Sequence, residues 1–507
     1  MVSRKHIFDY TLFALLVVLM GLFSVHTLTS IYQDIGRHIT VGQLIWESGN
    51  IPSTNLFSFT APDFLFVNHH WLGGVLLYLG DRFIGLAGLI VFKALLLSGA
   101  FALALAASWR NRLSIPAMII GLASIFTIAE RTDVRPEIFS FLFLAWFLFV
   151  LYRYPRSKLL WTLPFVQLVW VNTHIYFFMG PLLWLAFLIG VMANQRNWKF
   201  EMSNWRESRV TNYYVPITLL LILATLTNPS GWHGALYPLT MWSNYGYSIV
   251  ENQSLFFLRA FGYPMMTSIA LGFTILLTLA SFIINRRHLR KNVDSLVLFV
   301  STTIFALLML RNFPLLAFVA IPITLRNLSQ SPLRFDSKSV RMGMHVILIL
   351  IGISIVTNQI YDQAGIGGRR FGLVVPEGFQ EPVDFFRSAG LRGPLFNNFD
   401  VGSFLIWKLP EEKVFIDGRP EAYPADFIQN TYIKMQEDPS VWARESERYN
   451  LNTIFWSYQD ITPWSQAFMK RITKDPQWVA VYMDKGIIIL VRDTPANSSI
   501  IAKYRLK

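Results

Sequence analysis

The stretch Ile7–Gly42, "IFDYTLFALLVVLMGLFSVHTLTSIYQDIGRHITVG", decides the fold. From Ile7 to Leu28 it is apolar, interrupted only by Asp9 and His26. About 20 apolar residues suffice to cross the hydrocarbon core as a helix. The run is longer than a signal-peptide core needs, and no small-x-small cleavage pattern follows it. It reads as a retained membrane span. Straight after it, Asp34, Arg37 and His38 fall within five residues.

The rest of the chain extends that reading. Of 507 residues, 53% are hydrophobic and only 15% charged, against about 25% charged in soluble domains. There is no cysteine, which excludes a disulfide framework and any thiolate metal site or nucleophile. Apolar runs recur at roughly 7–29, 86–109, 114–130, 136–153, 159–174, 176–194, 213–228, 264–285, 293–310, 313–326 and 342–359, about eleven spans. The run Pro314–Leu325 is short, and reads as half-inserted or joined to its neighbour.

If the spans alternate, every basic cluster falls on one side. Arg4 and Lys5 precede the first span, Arg110 and Arg112 follow the second, and Arg153, Arg156 and Lys158 the fourth. "QRNWKFEMSNWRESR" follows the sixth, "RRHLRKN" the eighth, and Arg326, Arg334, Lys338 and Arg341 the tenth. The positive-inside rule makes that side the cytoplasm. The net charge of +13 is then topological, and nucleic acid is not a partner. The expected location is the cytoplasmic (inner) membrane, with the N-terminus cytoplasmic and the C-terminal domain extracytoplasmic.

From about Gln359 the apolar runs shorten and charge, Pro and Gly rise. "GPLFNNF", "KVFIDGR", "NTIFW", "WVAVYMD" and "GIIILVRD" read as strands. "PVDFFRSA", "VGSFLIWKL", "DFIQNTYIKMQ" and "TPWSQAFMKRIT" read as helices between them. The expected fold is a polytopic α-helical membrane protein over 1–359 with an extracytoplasmic α/β domain over 360–507. Two outward loops are long, 30–70 and the Trp- and Tyr-rich 228–263, which points to work at the outer interface.

Asp34 and His38 are four apart and share a helix face with Val41 and Ile45. "DIGRHITVGQLIWESG" reads as an interfacial helix ended at Gly49 and "NIPSTN". Asp34 either faces the mouth of the bundle or caps this helix and pairs with Arg37 or His38. The second outward loop, "ERTDVRPE", carries Glu130, Arg131, Asp133, Arg135 and Glu137. Charges at such depth cost several kcal/mol unless paired or wet. The loop is either a salt-bridge knot or a polar cavity with acids for a cation and arginines for phosphate. "WVNTHIY" ends a span with Asn172 and His174. Arg311 in "LMLRNFP" must find an anion, a phosphate by its bidentate geometry, or a lipid headgroup. His69 and His70 in "NHHWL" fall short of a metal set and fit helix-end packing better. "GIGGRRFG", Gly365–Gly372, fits a linker better than a phosphate contact.

No Walker A, H-E-x-x-H, G-x-S-x-G or Rossmann fingerprint is present. An acid at an outward cavity with arginines around it suits transfer from a polyprenyl-phosphate sugar. That reaction needs a carboxylate for the acceptor's proton, cations for the departing phosphate and a lipid groove, and no nucleotide site.

Several segments carry a resemblance: "QDIGRHITVGQLIWESGNIPSTNLFSFT…NHHWL" after the first span, "RPEIFSFLFL" at the fourth and "WVNTHIYFFMG" across the fifth and sixth. They resemble the C-type glycosyltransferase superfamily (GT-C), which includes oligosaccharyltransferase catalytic subunits, protein O-mannosyltransferases and lipid A aminoarabinose transferases. "LFNNFDVGSFLIWKLPEEKVFIDGRPEAY" is similar to the outward domain of a bacterial branch. The resemblance implies Asp34 as catalytic base, and Glu130 and Asp133 near a metal or the donor phosphate. The D-x-D spelling is missing, so a divalent cation, Mg or Mn, stays open. It implies Arg311 as a phosphate contact, joined by Arg131 or Arg135. His38, Asp133, His174, Asn172, Glu130 and His70 are secondary polar groups.

The expected function is therefore an inverting, lipid-phosphate-sugar-dependent glycosyltransferase. Its partners are a polyprenyl-phosphate sugar donor, an extracytoplasmic acceptor (glycolipid, glycan or protein) and membrane lipid. The alternatives are a transporter or flippase for a lipid-linked glycan and a non-catalytic scaffold of envelope assembly.

Overall fold

A computed structural model describes residues 4–32, 34–110, 113–194, 213–240, 245–260, 265–333, 337–364 and 368–506. Gln33, Arg112, Arg334, the basic segment 195–209, the opening 365–367 of the Gly/Arg stretch and parts of the 228–263 loop lie outside them. In chain order the helices are α1 (Arg4–Ser24), α2 (Ile35–Ser48), α3 (Trp71–Ser108), α4 (Ser114–Ile128), α5 (Glu137–Arg153), α6 (Thr162–Thr173), α7 (Met179–Asn194), α8 (Val215–Leu226), α9 (Gly231–Thr240), α10 (Leu255–Ala260), α11 (Met265–Ile284), α12 (Val293–Leu308), α13 (Phe313–Ser329), α14 (Lys338–Val356) and α15 (Gln359–Ala364). The chain forms two compact units. One gathers Met1–Thr29, Ile84–Ala235 and Ile249–Val374, the other Ser30–Phe83, Leu236–Ser248 and Val375–Lys507.

The first unit is a membrane bundle. Each run expected as a span lies on a helix. Among the described residues six helices are long and apolar enough to cross a membrane, and α8 with α9, meeting at 90°, make a seventh if counted as one span. The expected spans on α1, α5, α6 and α13 fall on shorter helices or shorter apolar stretches. The protein is a multi-pass membrane protein.

At the bundle's centre α13 packs against α4, α11, α12 and α5. Every residue from Phe313 to Leu325 is buried, as a helix apolar on all sides must be. The short run Pro314–Leu325 is thus one continuous helix. Its Pro314 sits in the first turn, where no backbone N–H is needed. The lipid-facing side shows Leu219 and Leu223 of α8, Phe273 and Leu276 of α11, and Ile349 and Leu350 of α14. Asp9, one of the two interruptions in the first run, is buried and accepts a 3.2 Å bond from Arg341 of α14.

The second unit joins the segment after the first span to the C-terminal residues. Its sheet has four strands, β1 (Leu395–Asn397), β2 (Thr453–Ser457), β3 (Trp478–Met483) and β4 (Ile487–Arg492), in the order β1-β2-β4-β3. The β1/β2 pair is parallel and the others antiparallel. The helices are α16 (Gln380–Ser388), α17 (Phe399–Lys408), α18 (Lys434–Glu437), α19 (Pro439–Arg448), α20 (Pro463–Ile472) and α21 (Ser498–Tyr504). The core is aromatic: Phe396, Phe415, Trp442, Trp456 and Phe468 pack together.

One expected strand is absent. "KVFIDGR" is extended but has only an isolated bridge, Val414 to Ser58. Its backbone bonds go elsewhere. The Asn397 side chain accepts from Phe415 N at 2.9 Å and donates to Ile416 O at 2.7 Å. Val414 N donates to Phe57 O at 3.0 Å, and Ser58 and Thr60 hydroxyls donate to Phe415 O. The "DFIQNTYIKMQ" segment is helical as expected, but its Phe427–Ile433 portion is a π-helix.

The helix expected around Asp34 is α2. It ends at Gly49, whose φ of 70° places it in the left-handed region that closes helices. α2 packs on α17. It also lies against the first turn of α3, where a Cβ on Gly42 would stand 2.1 Å from the Gly74 carbonyl oxygen. Only a residue without a side chain permits that approach.

Candidate functional site

The second unit holds Asp34. It occupies the N-cap position of α2 but makes no side-chain cap bond. Its Oδ1 accepts instead from Arg37 Nη2 at 2.7 Å, with the Asp34 side chain 20% exposed. Arg37 in turn lines a pocket with His38, Val41, Phe66, Val67, Asn68, His69, His70, Gly74, Arg419 and Glu421. The three imidazoles stand close: His38 and His70 centroids are 5.5 Å apart, His69 and His70 3.9 Å.

Arg419 is fixed from below. It makes two 2.7 Å bonds to Asp417 and one of 2.8 Å to Asn55, and stacks over Phe57 and Phe66. Tyr423 donates to Asp417 at 2.7 Å. Burial would raise the Asp417 carboxyl, but the Arg419 guanidinium and these hydrogen bonds hold it below the usual range. Glu421 goes the other way: burial raises its carboxyl, and Arg37 only partly offsets that.

A raised carboxyl is penalised whenever it is ionised, so Glu421 costs stability at neutral pH. The penalty disappears below the unfolded value of about 4.3. Glu421→Gln is therefore expected to raise the melting temperature at pH 7.5. The gain should vanish at pH 4, as read by thermal unfolding of the purified protein at the two pH values.

The first unit holds the other expected residues, in two clusters. In the first, Arg131, Arg135 and Arg311 converge on Glu251. Arg131 and Arg135 each lie 2.5 Å from its Oε1, and Arg311 lies 3.9 Å from its Oε2. Arg131 also pairs with Glu137. Burial would raise the Glu251 carboxyl, but the three guanidiniums hold it well below the usual range. Tyr176 donates to the Arg311 carbonyl at 2.6 Å. Arg131 is 4% exposed, Arg311 22%.

In the second cluster Asp133 accepts from Thr29 and from Val134 N. Lys93 and Arg369 stand beside it, and their charges outweigh its burial and pull its carboxyl down. Lys93 Nζ is 3.1 Å from His26 Nε2, which also contacts Thr132. Arg369 donates to the Ala129 and Glu130 carbonyls. The Gly/Arg stretch thus supplies a buried side chain that fastens the turn, beyond linking two parts of the chain.

The "ERTDVRPE" residues are therefore held by different partners. Glu130 accepts from Thr267 at 3.3 Å. His174 bonds Ser140 and the Tyr176 amide, while Asn172 donates to the Leu168 and Thr227 carbonyls. Glu251, Lys93 and Arg419 are not among the residues expected from the sequence, and His26 figures there only as a break in the first apolar run. The signals were a lone acid in an aromatic loop and a lysine inside an apolar run, which by default marks a functional or paired charge.

No family model matches the sequence, and no curated protein does. Solved structures do match. The archaeal oligosaccharyltransferase AglB from Archaeoglobus fulgidus, in complex with an inhibitory peptide and a dolichol-phosphate, is similar with a TM-score of 0.56 and 11% identity. The match covers 98% of this chain and 76% of that one. A second structure of the Archaeoglobus fulgidus oligosaccharyltransferase, complexed with Zn and sulfate, gives 0.52 at 13% identity, covering 95% and 74%.

The chain has the fold of these oligosaccharyltransferase structures.

The second of those structures is a complex with Zn, which brings the question of a divalent cation, and the residues expected to hold one in this chain do not fit it. Glu130 and Asp133 serve different partners. Among the described residues no group of three or more His, Asp or Glu side chains is placed to hold a metal ion.

Proposed function

We propose that this chain is an integral-membrane glycosyltransferase of the GT-C type. It moves a sugar from a polyprenyl-phosphate donor to an acceptor on the extracytoplasmic side of the cytoplasmic membrane, with inversion. The observation that carries the reading is the likeness to an oligosaccharyltransferase along 98% of the chain, with Asp34 at the head of the helix that follows the first span.

The acceptor's O–H or N–H heteroatom attacks the sugar's C1. The C1–O bond to phosphate breaks, and the lipid phosphate leaves with the electron pair. The acceptor's proton passes to the Asp34 carboxylate. Proton transfer to a positioned carboxylate contributes typically about 10²–10⁴-fold. Arg37 holds that carboxylate in place at 2.7 Å.

Arg311 is the phosphate contact. It is the most exposed of the three arginines, and its distance to Glu251 is the longest. Arg131 and Arg135 are held by Glu251 and set the local field. Arg131 is further fixed by Glu137. The C-terminal residues after 360 select the acceptor, and the N-terminus is cytoplasmic.

The test uses the full chain in lipid with a labelled polyprenyl-phosphate sugar and envelope extract. Label should appear on an acceptor. Arg311→Gln is expected to raise the KM for the donor about 10- to 100-fold, the worth of one hydrogen bond to a charged group. Label that stays on the donor with every extract would defeat the reading.

A further inference from the structure

We propose that helix α9 (Gly231–Thr240) lies flat in the bilayer interface, with Trp232, Leu236 and Leu239 set among the lipid headgroups and the upper acyl chains. The proposal goes beyond the transferase reading and does not depend on it.

The helix has two unlike faces. At about 100° per residue, Trp232, Leu236 and Leu239 fall within about 60° of one another. All three are exposed, Leu239 by 75%. Gly234 and Pro238 lie on the opposite side and are buried. Tyr237, between the two, has its ring centroid 5.0 Å from that of His69. One side of α9 thus packs on protein, while the other leaves two leucines and a tryptophan uncovered.

What covers that face is set by the corner before it. α8 packs along α6 in the bundle and turns Leu219, Leu223 and Leu226 to lipid. α9 follows at 90°, so it runs along the membrane plane and adds no depth to the crossing. Side chains hold the corner. Asn228 Oδ1 accepts from Ser230 N at 3.0 Å, and Nδ2 donates to the Thr225 and Gly231 carbonyls at 3.1 and 2.8 Å. Gly234 sits against that amide, where a Cβ would stand 2.0 Å from Oδ1. Asn172 of α6 donates to the Thr227 carbonyl at 2.9 Å and ties the corner to the bundle.

The open face of α9 therefore continues the lipid-facing surface of α8 at the level where α8 ends. His69 belongs to the outward loop 30–70, so the face turned away from it is the one that meets lipid. Tryptophan is enriched at that level, where one part of its ring is wet and the rest is not. From Gly231 to Thr240 there is no Asp, Glu, Lys or Arg. The contact is apolar and aromatic, and draws nothing from headgroup charge, unlike that of basic amphipathic helices.

The experiment places spin labels on the full chain in nanodiscs. The chain has no cysteine, so Trp232→Cys, Leu239→Cys, Leu219→Cys and Ile461→Cys each take one label. Accessibility to oxygen and to a water-soluble nickel chelate gives the depth of each. Trp232→Cys and Leu239→Cys should report one depth, with Leu219→Cys about 10 Å deeper, the rise of two helical turns. Ile461→Cys, exposed in the C-terminal segment, should report water. The depths should be equal in phosphatidylcholine with and without phosphatidylglycerol. Should Trp232→Cys not fold, Leu236→Cys carries the same expectation. A difference of about 10 Å between Trp232→Cys and Leu239→Cys would make α9 part of a broken span. Nickel accessibility equal to that of Ile461→Cys would put the face in water, and shielding from both reagents would put it under protein, such as a second copy of the chain. A depth that changes with phosphatidylglycerol would make headgroup charge the attraction. Each of these results overturns the proposal.

Discussion

Asp34→Asn is expected to slow sugar transfer about 100- to 10,000-fold while leaving the fold and the donor KM close to those of the parent. Asparagine has the shape of aspartate, and its amide oxygen can still accept from Arg37, which holds Oδ1 at 2.7 Å. It cannot take a proton. The acceptor must then be deprotonated by solvent, so the loss falls on kcat. A merely structural Asp34 would show itself differently. Losing the charge paired with Arg37 would lower the melting temperature, and the rate would fall only with the fraction unfolded. Melting curves and single-turnover rates on one preparation separate the two.

Asp417→Ala carries the largest expected stability change. Asp417 is fully buried and is bonded to Arg419, Tyr423 and, through Arg419, to Asn55. Removing it leaves a buried guanidinium uncompensated, which costs about 3–5 kcal/mol. Replacing both partners by apolar residues, as in Asp417→Leu with Arg419→Met, should recover most of that loss, because the desolvation of both charges goes with them. Calorimetry of the purified chain reads the difference. The pH dependence has a definite sign. A carboxyl held below its unfolded value of about 3.9 stabilises at every pH above it, and the contribution fades as pH falls through the lower, folded-state value. Glu421 behaves oppositely, so the two residues bracket the acid limb.

What the sequence made legible follows from periodicity. Long apolar runs mark helices because the bilayer offers the backbone no partners, and each expected span lies on one. The helix after the first span was readable from its mixed faces and its glycine stop. What stayed hidden depends on contacts between distant residues. Glu251 is more than a hundred residues from Arg131 and Arg135, and no local pattern announces that an acid in an aromatic loop will collect three arginines. The segment Lys413–Arg419 has strand-like composition, yet its amides are taken by the Asn397 side chain and by residues 57–60. Tertiary partners override propensity there. Helix α19, "PSVWARESER", was missed because it is short and polar. Its local signals are Asp438, whose side chain accepts from Ser440 N at 2.8 Å, and Pro439 in the first turn.

One single-turnover measurement decides whether Asp34 is the base of a sugar transfer: release of lipid phosphate from a radiolabelled polyprenyl-phosphate sugar, with recovery of label on the acceptor, by the parent chain and Asp34→Asn side by side. The parent should show coupled release and transfer, with inverted configuration at C1, and both should fall together by at least 100-fold in the variant. Equal rates in the two proteins, or no transfer by the parent, would contradict that role.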